Sequence, residues 1–511
     1  MDPHKRHTPA VLALCAALLA GCGPEQFGLE LQLVVPEGHD AFADLDHLLL
    51  EVRYADGRAW DLALESPSPG DWVIPDLPAG DGLSLRFVGL VDDGAGAVVE
   101  VASGSAGPFD FSPAVEQPAR RVLFTRRGRT GVLASALDSS RVDPMVAPLP
   151  DGGALVVGGM AAGDDESALR DTAARFRVDG PDAARFVEVE PMAGPRVDGV
   201  ALPLPDGRVF VMGTTRLIAA RSGEIVVDYD ADVLEEAQRV GVPEVFDPSD
   251  GSWESLDDSV LDLTARGHHA AALAGDAVIV TGGILFDAVG GIGLSASQDT
   301  LVFPLDGDDS SEVELMYESR WRHTLTDVGG RLVAVGGAAV PTTSNTYPEI
   351  ERVEVFDVDE QRWELFEDLI PGRADHVAAA LPDGTLLVAG GVTALETEVL
   401  ADAWILDLDA DTITPAAPMG SPRVRASATT LSDGRVVVCG GETTDFLPIA
   451  GCEIYAPGPG GGAWAPAPDP SAAYAPAFGS ATTQLGSGEV LVVGGMDEAE
   501  GAIDDVIVYR P

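Results

Sequence analysis

The chain has 511 residues, 83 of them Asp or Glu and 31 Lys or Arg, for a formal net charge of −52. Such a surface repels phosphate backbones and anionic headgroups, which argues against nucleic acid as a ligand and against direct adsorption to an anionic bilayer. The only Lys is Lys5, so the Lys that a phosphate-cradling P-loop requires is missing. With 46% hydrophobic residues, 59 Gly and 37 Pro, the composition predicts a packed core of short strands and many turns, not disorder and not long helices.

Residues 1–22 read MDPHKRHTPAVLALCAALLAGC. Lys5 and Arg6 form a short basic start, and Ala10 to Ala20 is an apolar run of signal-peptide length, too short to span a bilayer. The run ends in Leu19-Ala20-Gly21-Cys22, which resembles a bacterial lipobox. The resemblance implies a signal peptide over 1–21, lipidation of Cys22, and a short tether over 22–26. More than one acyl chain gives stable anchoring. Gly23 is not Asp, which by the same resemblance places the protein in the cell envelope at the outer membrane. Cys15 would leave with the signal, so Cys439 and Cys452 remain. In an oxidising compartment an even pair is expected as a disulfide, with two buried thiols as the other reading.

From 27 to 126 apolar residues alternate in short runs, such as Leu29, Leu31 and Leu33, or Leu83, Leu85 and Phe87. Turn signals separate them, including Asp56-Gly57 and Asp93-Gly94. The pattern predicts a small antiparallel β-sandwich. It resembles the immunoglobulin-like or prealbumin-like modules of envelope proteins, and a spacer role follows from that.

The rest of the chain repeats. An apolar run closes on a Gly pair at Gly158-Gly159, Gly282-Gly283, Gly336-Gly337, Gly390-Gly391, Gly440-Gly441 and Gly494-Gly495, with a degenerate copy at Gly213-Thr214. Each unit starts on an Arg-rich segment and carries tight turns such as Asp383-Gly384 and Asp433-Gly434, suited to hairpins. Trp253, Trp363 and Trp464 follow the next strand in three units. This grammar resembles the kelch repeat over about 130–511. The resemblance implies a seven-bladed kelch-type β-propeller of four-stranded blades, all-β like the domain before it. The Gly pairs, lacking side chains, would admit close backbone approach and positive φ. The last unit ends on DVIVYRP at 505–511, one strand short, and 130–137 precedes the first unit with one strand too many. The expectation is that 130–137 supplies the outer strand of the last blade.

The connections from second to third strand are long in nearly every unit, notably 214–243, 284–297 and 338–349. Long loops gathered on one face of a rigid scaffold are where binding usually sits. Cys439 and Cys452 flank one of them, so their bridge would pin it.

The remaining His and Asp residues give no catalytic or metal-binding pattern. His269, His323 and His376 share an Arg-x-x-His slot with Arg266, Arg320 and Arg373, and His268 adjoins the first. Repetition puts each in a different unit, so a structural role well apart is expected and a shared metal is not. Asp407, Asp409 and Asp411 begin like a calcium loop but lack its sixth-position Gly, leaving at most weak Ca²⁺ binding and no cofactor. No HExxH, CxxC or GxSxG occurs, and no catalytic residue is assigned. Two functions stand. One is a lipid-anchored, non-enzymatic binding or scaffolding module for a protein or glycan at the cell surface. The other is a carbohydrate-active enzyme, oxidase or glycosidase in type, using the propeller centre; convergent Arg, Tyr and paired carboxylates there would favour it.

Overall fold

The computed structural model describes residues 27–511 except 65–70, 96, 135, 138, 162–168, 179, 215–218, 222–223, 227–241, 257–265, 288–292, 306–309, 340–348, 394–397, 444, 446, 450, 469–477, 498–500 and 502. The lipobox match with Cys22, and most of the 214–243 and 338–349 loops, lie outside the described residues. Among the described residues the chain is all-β, without a helix, and its strands form many small sheets. None of them is a helix long and apolar enough to cross a membrane. Two compact units are present. The first comprises the chain up to Pro36 with Asp40–Arg127 and Val178–Ala184; the second comprises Glu37–His39, Gly128–Arg177 and Arg185–Pro511.

In the first unit a five-stranded sheet runs in the order Ala59–Leu64, His47–Arg53, Gly80–Asp92, Val98–Phe111, Thr125–Arg126. A three-stranded sheet runs Asp71–Ile74, Leu29–Val34, Arg120–Leu123. The alternation read in the sequence is the alternation of faces: in Leu29–Val34 every second residue is buried. Leu31, Leu50, Phe87, Val122 and Phe124 from both sheets share one core. One pairing departs from the antiparallel expectation. Leu29–Val34 runs parallel to Arg120–Leu123. A parallel pair needs a long connection, and these two strands stand at opposite ends of the unit's sequence.

The second unit holds seven four-stranded antiparallel sheets. The first is Met145–Pro148, Ala154–Val157, Ala173–Arg177, Arg185–Val189, and the fourth is Thr324–Val328, Arg331–Val335, Arg352–Asp357, Arg362–Leu369. The second strands are buried along their whole length, as in Ala154–Val157, Leu386–Ala389 and Val490–Val493. Strands covered on both faces read as unbroken apolar runs, which is why the repeats are visible in the sequence. Successive sheets pack through their first strands, and Met145–Pro148 of the first sheet also packs against Ala481–Gln484 of the seventh. The seventh sheet takes its fourth strand from the start of the unit: Arg129–Leu133 pairs antiparallel with Val506–Arg510, Val132 opposite Ile507. This strand ends at Leu133, short of the expected 137.

All six Gly pairs are left-handed at both positions, with φ of 60° and 93° at Gly336 and Gly337. Gly213 in the degenerate copy is not. The pairs stitch sheets together. The N–H groups of Gly283, Gly337 and Gly391 donate to the carbonyls of Arg320, Arg373 and Arg423 in the following unit, and Gly495 donates to Arg141 of the first. A Cβ on Gly336 would lie 2.4 Å from the Arg373 carbonyl oxygen. A Cβ on Gly337 would lie 2.7 Å from the Trp321 carbonyl oxygen. Gly337→Ala is therefore expected to destabilise by about 3 kcal/mol through strain and overlap. Gly384→Ala, at φ 84° with open space around it, is expected to lose only about 1 kcal/mol. Chemical denaturation of the two variants measures the difference.

The three repeat Trp residues lie on fourth strands, each directly opposite an aromatic of the third. Phe246–Trp253, Phe356–Trp363 and Tyr455–Trp464 have centroids 5.0, 5.0 and 5.1 Å apart. Cys439 and Cys452 are cross-strand partners and form a disulfide at the base of the 442–451 loop. Asp407, Asp409 and Asp411 belong to a hairpin turn: Asp407 accepts the N–H groups of Asp409 and Ala410, and Asp409 pairs with Arg331.

Candidate functional site

Six of the seven units begin with the same short phrase, an Arg two residues ahead of a variable position. The phrases are Arg141-Val142-Asp143, Arg196-Val197-Asp198, Arg266-Gly267-His268, Arg320-Trp321-Arg322, Arg373-Ala374-Asp375 and Arg423-Val424-Arg425. The seventh unit has Gly479 at the variable position.

The Arg is structural in every case. Its guanidinium turns into the protein and, in five of the six, donates to the carbonyl of the first Gly of the pair: Arg141 to Gly158, Arg266 to Gly282, Arg320 to Gly336, Arg373 to Gly390 and Arg423 to Gly440, while Arg196 donates to the Val242 carbonyl. A carboxylate on the third strand, or just ahead of it, holds the other side: Glu244 for Arg196 at 2.6 Å, Asp299 for Arg266 at 3.1 Å, Glu354 for Arg320, Asp402 for Arg373 at 2.9 Å and Glu453 for Arg423 at 3.2 Å. Arg141 uses the Thr172 carbonyl and hydroxyl instead.

The variable residue is left-handed in all seven units. Asp143, Asp198, His268, Arg322, Asp375 and Arg425 have φ between 50° and 58°, and Gly479 has 67°. Asp tolerates this conformation; His and Arg do so at some strain, which gathers at functional sites. The backbone ties these residues to one another across sheets. Arg322 N–H donates to the His268 carbonyl, Asp375 to Arg322, Arg425 to Asp375, and Asp143 to Gly479, at 2.8–3.0 Å.

This register gathers polar groups on one cavity of about 260 Å³. Asp198, His268, Arg322, Asp375 and Arg425 line it together with His269, His323, His376, Gly199 and Ala426. The sequence expectation that the repeat keeps these His residues well apart is overturned. Their slot opens the first strand of each sheet, where the sheets pack against one another, so residues from different units face the same space. The structural half of that expectation stands for two of them. His323 Nε2 lies 2.9 Å from Thr281 Oγ1 and His376 Nε2 lies 2.9 Å from Thr324 Oγ1, and each imidazole fills the room left by a Gly pair. His269 has no aligned hydrogen-bond partner at either ring nitrogen.

The charges at the cavity divide into two groups. Arg322 Nε donates to Asp375 Oδ2 at 2.6 Å with a second contact from Nη2, and Arg425 pairs with Glu442. Burial opposes ionisation of Asp375, but Arg322, Arg425 and His268 outweigh it and hold its carboxyl below the usual range. Asp198 is different. Burial, with the nearby Asp375 charge, pushes it up to about 7. Burial and the Asp198 charge push Asp143 up to about 6. Burial lowers His268 to about 4, and His269 and His376 to about 3. His323 is lowered by burial and by Arg320. Outside the cavity, burial lowers His39 to about 4, although the Val508 carbonyl 3.0 Å from its Nε2 partly offsets this.

Stability follows from these shifts. Imidazoles kept neutral in the fold take up protons when the chain unfolds, so their contribution is present above about pH 6.5 and is lost as pH falls toward their folded values. Asp143 and Asp198 act oppositely, because the folded state holds their protons more tightly. Five imidazoles against two carboxyls leave an uptake of about three protons on unfolding near pH 5, or roughly 4 kcal/mol per pH unit. Calorimetry is expected to show the melting temperature of the second unit falling steeply between about pH 6.5 and 4.5. A flat or rising trend contradicts this.

Among the described residues no group of three or more His, Cys, Asp or Glu is arranged to hold a metal ion. Among the described residues no Tyr lines the cavity. The variable position was missed in the sequence because its residue types differ from unit to unit. The signal was the constant Arg two residues before it.

No protein-family model matches the chain. It is similar to the tRNA wybutosine-synthesizing protein 4 of Candida albicans, at 26% identity over 151 residues, which cover 28% of this chain and 21% of that protein. The chain thus spans about a fifth of the length of the curated relative it matches.

Proposed function

We propose that Gly128–Pro511 is a seven-bladed kelch-type β-propeller in a lipid-anchored cell-envelope protein, and that it is a non-enzymatic binding module whose ligand enters the cavity between the sheets. The circular order in which first strands pack, Met145–Pro148 lying against Ala481–Gln484, supports the propeller, as does the bond from Gly495 to the Arg141 carbonyl. The observation that carries the binding reading is the convergence on one cavity of variable polar residues from five sheets, each presented by the same left-handed turn. A repeat that served folding alone would carry the same residue each time, as the buried Arg does in six of the seven units. A protein or glycan at the cell surface is a partner class consistent with the anchor. The tRNA chemistry in the relative's name is not carried over, because a charge of −52 opposes RNA.

The test is thermal stabilisation of the full chain by a panel of small sugars, amines, amino acids and carboxylates, repeated with Ala426→Phe, which fills the cavity. A compound that raises the melting temperature of the parent and not of the variant supports the reading. Equal effects on both, or none, overturn it. Cys22→Ala is expected to abolish palmitate incorporation and to move the protein from the membrane to the soluble fraction.

One observation favours the enzymatic alternative. Asp375 is ionised and Asp198 keeps about half its proton near pH 7, on the walls of the same cavity, and two carboxyls whose titrations are pushed apart suit glycoside hydrolysis. Turnover of aryl glycosides that is lost in Asp198→Asn would establish it.

A further inference from the structure

The cavity carries an uncompensated acidic side. Four carboxylates belong to this cluster: Asp143, Asp198, Asp375 and Glu442. Two guanidinium groups face them, and each is already matched, Arg322 with Asp375 and Arg425 with Glu442. Among the described residues no guanidinium lies within ion-pair distance of Asp143 or Asp198. Arg425 and Arg322 act on Asp198 from farther off; the basic group nearest it is His268, whose Nε2 lies 3.7 Å from Asp198 Oδ2 and makes no hydrogen bond.

A second observation is independent of these acids. Three imidazoles that line the cavity, His269, His323 and His376, are only 6–7% exposed. Each has at least one ring nitrogen without an aligned partner: Nδ1 in His323 and His376, and both in His269, where the Arg266 carbonyl lies close to the ring. Buried polar atoms are ordinarily hydrogen-bonded, so the cavity wall holds polar capacity that the protein leaves unused. In His269 that capacity includes an acceptor, since a neutral imidazole has one nitrogen lone pair in the ring plane.

Acceptors that lack aligned donors, and carboxyls without an ion-pair partner, call for a ligand with N–H groups and positive charge. An inorganic cation does not suit the site, because no three ligating groups are arranged around a common point among the described residues. A planar or tetrahedral nitrogen head with several hydrogens does, since it can reach separate acceptors at separate angles. The volume limits its size: about 260 Å³ holds a head and a few methylenes. The charge of −52 on the chain raises the local concentration of any such cation.

We propose that the cavity binds a small organic cation, a primary ammonium or guanidinium compound, with its charged head against Asp198 and its N–H groups shared with His269. This rests on the reading of the cavity as the ligand site and names the chemistry of what enters. Asp143 supplies further negative potential behind Asp198. Arg322 and Arg425, each held by its own carboxylate, also line the cavity and keep the charged head on the Asp198 side. Binding ionises Asp198, so uptake of the cation releases a proton near neutral pH. The groups facing Asp198 that could alter this titration are Asp143, His268, Arg322, Asp375 and Arg425; of these the Arg residues stay charged and His268 stays neutral down to about pH 4.

The experiment is titration calorimetry of the full chain in detergent with n-butylammonium and ethylguanidinium. Butyrate, 1-butanol, methyl glucoside and calcium chloride serve as comparators. Either organic cation is expected to bind at about pH 8, with affinity falling roughly tenfold per pH unit below about 7 as Asp198 takes up its proton. Runs in buffers of different ionisation enthalpy are expected to show proton release. Asp198→Asn is expected to weaken binding by more than about tenfold; the pH series on the parent protein makes the same test without a variant. Tighter binding of butyrate, butanol or the glucoside, lost in Ala426→Phe, overturns the cation while leaving the cavity as the site. Calcium binding in competition with butylammonium overturns the organic class. Heat from none of the probes at any pH overturns both this inference and the cavity reading.

Discussion

Deleting Arg129–Leu133 is expected to unfold the seventh sheet and with it most of the second unit. The strand contributes two buried apolar side chains, Val132 and Leu133, worth about 2 kcal/mol each. Its ladder with Val506–Arg510 adds roughly four hydrogen bonds at about 1 kcal/mol apiece. Together these approach about 8 kcal/mol, the order of a domain's whole stability. Without the strand, Ile507 and Tyr509 lose the neighbour that covers them. Val132→Asp tests the same contact with one residue and is expected to destabilise by about 4 kcal/mol. Arg129→Ala, exposed at the start of the strand, is expected to stay within about 0.5 kcal/mol. Hydrogen exchange of 481–510 and the melting temperature report both. Unchanged protection in the deletion would show that the last sheet holds with three strands.

Arg320→Met is expected to lower stability by about 4 kcal/mol. Both members of the Arg320–Glu354 pair are 0% exposed, so the variant leaves a buried carboxylate without its cation. The N–H groups of Tyr317 and Glu318 still point at Glu354, at 2.7 and 3.0 Å, and soften the loss. Arg320→Met with Glu354→Leu removes the stranded charge and is expected to recover about half. Full recovery is not expected, because those two N–H groups and the Gly336 carbonyl then lose their partners. The Arg331–Asp409 pair is a useful contrast. Its members are 42% and 90% exposed, and Arg331→Ala should change little. Urea denaturation of the three variants decides between a pair that matters because it is buried and a repeat residue of no consequence.

Much of this architecture could be read from the residues, and the reason is burial. Second strands covered on both faces write themselves as apolar runs, and the Gly pairs after them mark where backbone from the next unit approaches. The Trp residues were visible because each packs on an aromatic directly opposite. The Cys pair was visible because its members end one strand and begin its neighbour. The cavity was hidden for the opposite reason. Asp143, Asp198, His268, Arg322, Asp375 and Arg425 share a backbone conformation and not a chemistry, so no composition or spacing rule joins them. Only the constant Arg two residues ahead, and the turn it anchors, show that they are equivalent. The His residues misled because separation along the chain was taken as separation in space. The parallel pairing of Leu29–Val34 with Arg120–Leu123 was equally silent, since alternation records which face is buried and not which strand lies beside it.

The seventh sheet also sets an order in time. Its outer strand and that strand's neighbour are made first and last, so Arg129–Leu133 leaves the ribosome with only the Glu37 bridge to Val132 at one edge and waits until Val506–Arg510 has been synthesised. Closing so long a loop is slow, because chain entropy must be spent before any contact rewards it. Through that interval a strand with an apolar face is open to pairing with another chain. The strand is suited to waiting. It is five residues long, it has Gly131 at its centre, and Arg126, Arg127 and Arg129 crowd its entrance. Shortness, a central Gly and flanking charge are the features that keep an unpaired edge from recruiting a neighbour.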